Sequence, residues 1–202
     1  MVPPSSSGPR HTRVVYTRTG DDGTTGLLYG GRVGKDSTGP DAYGAVDEAV
    51  SSLGLARAEC ERASELDVLL VRLQRELFVV GAELATAPEN RAKLDPGTTL
   101  VTSEMVDALE PIIDDITARY DPPQEFVLPG ENRVAAALDV ARTVVRRAER
   151  RCVAATRDGW LDANGPSEVV RYLNRLADLV YTLARWQEGT FRPVRTRPDD
   201  RT

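Results

Sequence analysis

NRVAAALDVARTVVRRAERRCVAATR, residues 132–157, holds the pattern on which the fold turns. Val134, Leu138, Ala141, Val145, Ala148 and Cys152 recur at alternating spacings of four and three, which lays one apolar stripe along an α-helix. Asp158-Gly159 ends the pattern. The rhythm repeats outward in both directions. On the N-terminal side, Pro40 opens a helix whose face is Val46, Ala49, Leu53, Ala56 and Cys60. A second helix is expected from Ser64 to Thr86, with Leu66, Leu69, Leu73, Leu77, Val80 and Leu84 on one side. PENRAKLDPGTT (88–99) reads as a linker. A third helix follows from Ser103, as cap, to Tyr120, with Pro111 as a kink. Its Ile112, Ile113 and Ile116 would also suit a strand. DPPQ (121–124) breaks it and FVLPG (126–130) is a short loop. On the C-terminal side, Pro166 to Gln187 repeats the pattern with Val169, Leu173, Leu176, Val180 and Leu183. Five amphipathic helices predict an all-α fold, a five-helix bundle. There is no internal repeat, and no alternation long enough to predict a sheet.

The 202 residues suit one domain with a sizeable core. A net charge of −5 argues against a general nucleic-acid partner. No apolar run reaches the roughly 18 residues of a membrane span. MVPPSSSGPR lacks a signal-peptide core, so residues 1–13 are expected to be a disordered tail. The bundle domain is expected over 14–188, after a short extended stretch from Val14 to Tyr16. The Pro- and charge-rich end, from about Thr190, is expected to be a loose tail over 189–202. Two cysteines without C-x-x-C spacing fit a reducing, cytoplasmic setting. The single histidine, His11, lies beside the first tail. A histidine triad, a His/Cys zinc site or a histidine ligand to cobalt therefore has almost no material.

Charge gathers in places that a plain bundle does not require. Residues 17–39, TRTGDDGTTGLLYGGRVGKDSTG, are dense in glycine. Gly20, Gly23 and Gly26 allow tight turns whose amides can nest an anion. Thr17, Thr19, Thr24 and Thr25 add hydroxyls, and Arg18, Arg32 and Lys35 add positive charge. Asp21 and Asp22 would suit a hydrated Mg²⁺. The stretch fits a polyphosphate; the alternative is a flexible surface loop. It is not a Walker A loop, because Tyr29 stands where the first glycine belongs and Asp36 follows Lys35. On the central helix, Arg142, Arg146 and Glu149 form a stripe beside the apolar face, flanked by Arg147, Arg150 and Arg151. Arginine forks suit phosphate oxygens, although a solvated face is the plainer reading. Asp47 and Asn174 each sit beside an apolar helix position, where they would face solvent or a cleft. Asp47 is followed by Ser51 and Arg142 by Arg146, and neither is expected to have a partner of opposite charge three or four residues away, in either direction, that explains it alone.

TRTGDDGTTGLLYGGRVGKD (17–36) resembles the ATP loop of PduO-type ATP:cob(I)alamin adenosyltransferases, the corrinoid adenosyltransferase family. AYGAVDEAVSSLGLARA (42–58), LQRELFVVGAELA (73–85), FVLPG (126–130), ARTVVRRAERR (141–151) and RYLNRLADLVYTLAR (171–185) resemble its other blocks, in order. The resemblance spans residues 14–186. It implies a ferritin-like five-helix bundle that forms a homotrimer with active sites between subunits. It implies that Thr17, Arg18, Thr19, Gly20, Asp21, Gly23, Thr24, Thr25 and Lys35 bind ATP, with Mg²⁺ held mainly through the phosphates. Arg146, Arg147, Glu149 and Asn174 would complete the nucleotide site, and Arg142 would pair with Asp47 of a neighbouring subunit. Phe126 would face the corrin. The implied reaction transfers the 5′-deoxyadenosyl group of ATP to the cobalt of cob(I)alamin or a cobyrinic acid diamide. A cobalamin reductase and an adenosylcobalamin-dependent mutase are implied as further partners.

The sequence departs from that pattern at Glu131, where a second glycine is common, at Asp139, where histidine is frequent, and at Val50, in place of asparagine. Glu131 and Asp139 are expected to add negative charge near the corrin and weaken its binding. That motivates an alternative, a carrier or sensor that binds ATP and cobalamin with little turnover. A structural trimer that has lost its chemistry is a further alternative, but it would have no need of both the loop and the arginine stripe.

Overall fold

The computed structural model describes residues 15–162 and 165–195. His11, the first tail and the end of the second lie outside them. The elements are β1 (Thr24–Gly26), β2 (Arg32–Gly34), α1 (Thr38–Ala58), α2 (Glu65–Leu84), α3 (Ser103–Asp107), α4 (Glu110–Thr117), β3 (Val127–Leu128), α5 (Arg133–Arg157), α6 (Val169–Glu188) and β4 (Arg192–Pro193), with a 3₁₀ turn at Pro88–Lys93. α5 packs on α1 and on α6, α1 also packs on α2, and α4 lies against α6. Ion pairs Arg151–Asp41 and Arg133–Glu59 at opposite ends fix α5 antiparallel to α1.

The apolar stripes are the core. Val46, Ala49, Leu53, Leu138, Ala141, Val145, Ala148, Cys152, Leu173, Leu176, Val180 and Leu183 are all buried. Fully burying a leucine or valine stabilises by about 1.5–3 kcal/mol, so these faces hold the helices together far more than backbone propensity does. On α2 the buried residue near the start of the stripe is Leu70, with Leu69 only partly covered. Burial pushes the Cys152 thiol up to about 12, so this sulfur behaves as a hydrocarbon.

The helices start where side chains can satisfy their free N–H groups. Ser64 accepts from the Asp67 amide. Asn132 accepts from the Ala135 amide at 2.9 Å and donates to the Gln187 carbonyl at 2.7 Å, tying the start of α5 to the end of α6. The expected third helix is two, α3 and α4, so the described residues hold six α-helices. Its cap is Thr102, not Ser103. Pro111 lacks an N–H and crowds the carbonyl four residues earlier, which favours a first-turn position; it occupies that position in α4. Pro166 does not open the last helix, which begins at Val169.

Two small antiparallel sheets also appear, β1–β2 and β3–β4. The second corrects the expectation of a loose tail from Thr190, because Arg192–Pro193 pairs with Val127–Leu128 beside Phe126.

Two close fits hold the loop hairpin onto the bundle. Glu83 is fully buried and accepts from Arg91 (2.7 Å), Ser167 (2.6 Å) and the Val101 amide (2.8 Å), which fixes the chain leaving α2. The hairpin leans on that chain through Leu28 N to Ala85 O at 2.8 Å and Tyr29 to Thr99 at 3.3 Å. At the start of α1, Gly39 lies so close under the Trp160 indole that a Cβ would collide with the ring. Trp160 is held by its own bond to the Leu84 carbonyl, at 2.8 Å. Gly39→Ala should therefore destabilise the fold by about 1–3 kcal/mol through overpacking. Urea unfolding checks this, and an unchanged midpoint would show that Trp160 can move aside freely.

Candidate active site

The segment that carries the glycines is a hairpin. β1 and β2 pair with Thr24 opposite Gly34 and Gly26 opposite Arg32. Gly23, Gly30 and Gly31 take positive φ values of 83°, 98° and 93°, conformations that side chains disfavour. Lys35 reaches back across the turn and donates to the Gly20 carbonyl at 2.7 Å. A side chain at position 20 would press on that ammonium and on the Thr24 carbonyl, so glycine there permits the clamp.

Thr17, Arg18, Thr19, Gly20, Asp21, Thr24, Thr25 and Lys35 line one surface pocket of about 360 Å³. Gly23 shapes the turn beneath it. Arg32, which the sequence marks only as one more positive charge, braces the pocket. It donates to the Thr19 carbonyl and through Nε to Thr24 Oγ1 at 3.1 Å. Asp22 accepts from the Thr24 amide at 3.0 Å and from its hydroxyl at 2.8 Å. Those bonds, the amide first, hold the Asp22 carboxyl below its ordinary value. A lowered carboxylate value supports order at neutral pH, and that support is lost only as pH falls through the lowered value. Asp22 is thus committed to the loop. Asp21 is exposed and without an ion pair among the described residues, and no cluster of three metal-ligating side chains occurs among them.

The arginine helix is sorted by its neighbours. Arg147 pairs with Glu48, and Arg151 with Asp41 at 2.9 Å, both across to α1. Glu149 accepts from Asn174 at 3.0 Å, joining α5 to α6. Arg146 and Arg150 are exposed, with no ion pair among the described residues. No hydrogen bond or ion pair among the described residues links this stripe directly to the residues lining the loop pocket.

Arg142 and Asp47 do not meet within the chain. Asp47 is exposed in a groove of about 430 Å³ with Leu28, Val50 and Phe78. Contrary to expectation, Arg142 has a counter-charge one turn back: Asp139 Oδ1 is 3.6 Å from its Nε. Asp139 also pairs with Arg185, and Glu131 pairs with Arg192 at 3.2 Å. The expected excess of negative charge is therefore compensated at both positions. Phe126 projects from the β3 loop with 89% of its surface exposed, beside a pocket of about 480 Å³ shared with Tyr181. Tyr181, Arg185 and Arg32 were missed as neighbours of these groups. The signal for Arg185 is a charge at three residues from Glu188 on an otherwise apolar helix end.

The chain is thus a helical bundle with a pocket lined by hydroxyls and cations at a glycine-rich hairpin, and with exposed arginines on α5 that have no ion pair among the described residues. The family profile described as Cobalamin adenosyltransferase matches residues 15–187. The chain is 43% identical over 176 residues to a corrinoid adenosyltransferase of Citrobacter freundii, covering 87% of this chain and 96% of that protein. It is 41% identical over 174 residues to a corrinoid adenosyltransferase of Bacillus subtilis, covering 85% and 84%. Among solved structures, a phenylalanine-to-alanine variant of a PduO-type ATP:corrinoid adenosyltransferase from Lactobacillus reuteri, complexed with cobalamin and ATP, superposes with a TM-score of 0.79 at 29% identity, covering 91% of this chain and all of that one (100%). An arginine-to-lysine variant of that enzyme, complexed with ATP, gives 0.76 at 29% identity, covering 90% and 100%. This chain belongs to the cobalamin adenosyltransferase family.

The hairpin's order rests on Thr24 more than on any single glycine. Thr24→Val should remove the hydroxyl bonds to Asp22 and Arg32, each worth about 1 kcal/mol. Hydrogen exchange by mass spectrometry should show residues 19–26 exchanging roughly five-fold faster or more, with α5 and α6 unchanged. Unchanged protection in the hairpin would show that the brace is idle.

Proposed function

We propose that this chain is a corrinoid adenosyltransferase that moves the 5′-deoxyadenosyl group of ATP to the cobalt of cob(I)alamin and releases triphosphate. In this reading, the loop pocket of one subunit and the arginine stripe of the next hold the nucleotide, in a homotrimer. The observation that carries it is the state of Arg146: Arg147 and Arg151 are paired to α1 carboxylates, whereas Arg146, and Arg150 one turn further on, are exposed and without an ion pair among the described residues. An unpaired guanidinium beside a Glu149–Asn174 bond suits a phosphate group.

The nucleophile is the substrate's own cobalt, whose electron pair forms the bond to C5′ as the C5′–O bond breaks. The bonding pair of C5′–O leaves on the triphosphate oxygen. No protein side chain has to be activated, which accords with a sequence whose single histidine is His11. The protein's work is alignment and stabilisation of leaving-group charge. Lys35, Arg146 and the loop amides do the latter, and Thr17, Thr19, Thr24 and Thr25 orient the chain of phosphates. When bound, Mg²⁺ would neutralise part of the phosphate charge. Phe126 would form an apolar wall beneath the corrin, keeping water and the lower ligand from cobalt so that its reduction becomes easier. The carrier or sensor reading loses its motive, since Glu131 and Asp139 are both paired.

The direct test is to mix the protein with ATP, Mg²⁺ and chemically reduced cobalamin. The adenosylcobalamin spectrum should appear with turnover; stoichiometric binding without that spectrum would return the carrier reading. Arg146→Ala should cost about 2–4 kcal/mol at the transition state, roughly 30- to 1000-fold in rate, with the fold intact. Unchanged kinetics would reduce the stripe to a solvated face. Phe126→Ala should slow adenosylation most when cob(II)alamin is reduced in place, and far less when cob(I)alamin is supplied ready-made. Equal losses in the two assays would leave Phe126 no special part in reduction.

A further inference from the structure

Asp139, Arg185 and Glu188 form a cluster of ionisable side chains between α5 and the end of α6, all at least nine-tenths buried, at 7%, 2% and 8% exposure. Arg185 bonds to Asp139 Oδ2 through Nη2, its Nε lies 3.1 Å from Glu188 Oε2, and its guanidinium stacks 5.4 Å from the centre of the Tyr181 ring. Two carboxylates against one guanidinium leave the cluster one positive charge short. Arg142 supplies it. Its Nε is fully shielded from solvent and has no hydrogen-bond acceptor of its own among the described residues, while Asp139 Oδ1 waits 3.6 Å away. That separation is just beyond a hydrogen bond, so a small rotation closes it.

We propose that Asp139 is the positioning residue for Arg142: it grips the guanidinium by its Nε edge and leaves the two-pronged Nη end aimed outward for a carboxylate from a second copy of the chain. This rests on the reading that Arg142 meets Asp47 of an adjacent subunit. Arg185 holds Asp139 in place through its other oxygen, so the grip is fixed before any partner arrives. An arginine restrained in this way gives up less side-chain freedom when it pairs, which favours assembly. A lysine at 142 has no edge to grip. Asp139 touches neither nucleotide nor corrin in this account and acts only through Arg142.

The experiment is a double-mutant cycle read by the concentration at which the assembly half-dissociates, measured by sedimentation for the wild type, Asp139→Asn, Arg142→Ala and the pair, with thermal unfolding alongside. Asp139→Asn should raise that concentration about ten-fold, and the effect should vanish in the Arg142→Ala background. Its effect on unfolding should persist in both backgrounds, because the Arg185 contact is lost in each. A full effect on assembly without Arg142 would overturn the proposal. Asp47→Asn separates the two claims. If it leaves assembly unchanged while the Asp139–Arg142 coupling is seen, the grip stands and Asp47 is not the partner. If it weakens assembly and no coupling is seen, the grip fails and the subunit pair stands. Should Asp139→Asn not fold, the wild-type protein still decides: the Arg142 Nε–H resonance, identified by its loss in Arg142→Lys, should be protected from exchange. An unprotected, freely exchanging Nε–H would overturn the proposal.

Discussion

Five arginines between Arg142 and Arg151 place more positive charge on one helix than it can bear unaided, and the surrounding chain is arranged to answer it. Glu48 and Asp41 on α1 take Arg147 and Arg151, which fixes the antiparallel seam of α1 and α5 at its charged edge. Asp139 takes one side of Arg142. Arg146 and Arg150 are left over, both exposed and without an ion pair among the described residues. Exposed pairs of this kind contribute little to stability, so their value lies in where they leave the unpaired charge. Neutralising the neighbours leaves the field of the stripe to these two guanidiniums, one helical turn apart.

Buried charge does a second job. Glu83 and the Asp139–Arg185–Glu188 group each cost desolvation and return little net stability, but removing one partner would strand another, at about 3–5 kcal/mol. Both groups sit behind functional surface. Glu83 holds the platform against which the glycine hairpin rests. Arg185 stands behind Tyr181, which borders the Phe126 pocket. Burial pushes the Glu188 carboxyl up, against the opposing pull of Arg185. Rigid supports of this kind suit a reaction in which the protein must align substrates rather than transfer protons.

Much of this was written in the sequence. The stripes of α1, α5 and α6 follow the helical period and most of their residues are buried, although Val134 and Cys60 are only partly covered and the core also takes in Ala135, Val144 and Leu179. The loop residues Thr17 to Thr25 and Lys35 converge on one pocket because they lie within a single hairpin, where sequence proximity becomes spatial proximity. What failed was decided at long range. Pro111 permits a kink or a break, and the fully buried Leu109 just before it belongs to the break. β3 and β4 are two residues each and lie more than sixty residues apart, too short to leave an alternating pattern. Glu48 and Asp41 look like ordinary surface acids until α1 is laid beside α5. Asp139 was visible one turn before Arg142, and its excess charge vanishes only once Arg185 is brought in from α6.

The central claim is that the loop pocket and the arginine stripe act as one site across two subunits. Mixed assemblies test it most directly. Lys35→Ala subunits damage only the pocket and Arg146→Ala subunits only the stripe, so either protein alone should be nearly inactive with ATP and cob(I)alamin. Co-assembled in equal amounts, they should regain a substantial part of wild-type turnover, because some boundaries then join an intact pocket to an intact stripe. A mixture no more active than the sum of its two components would contradict the account.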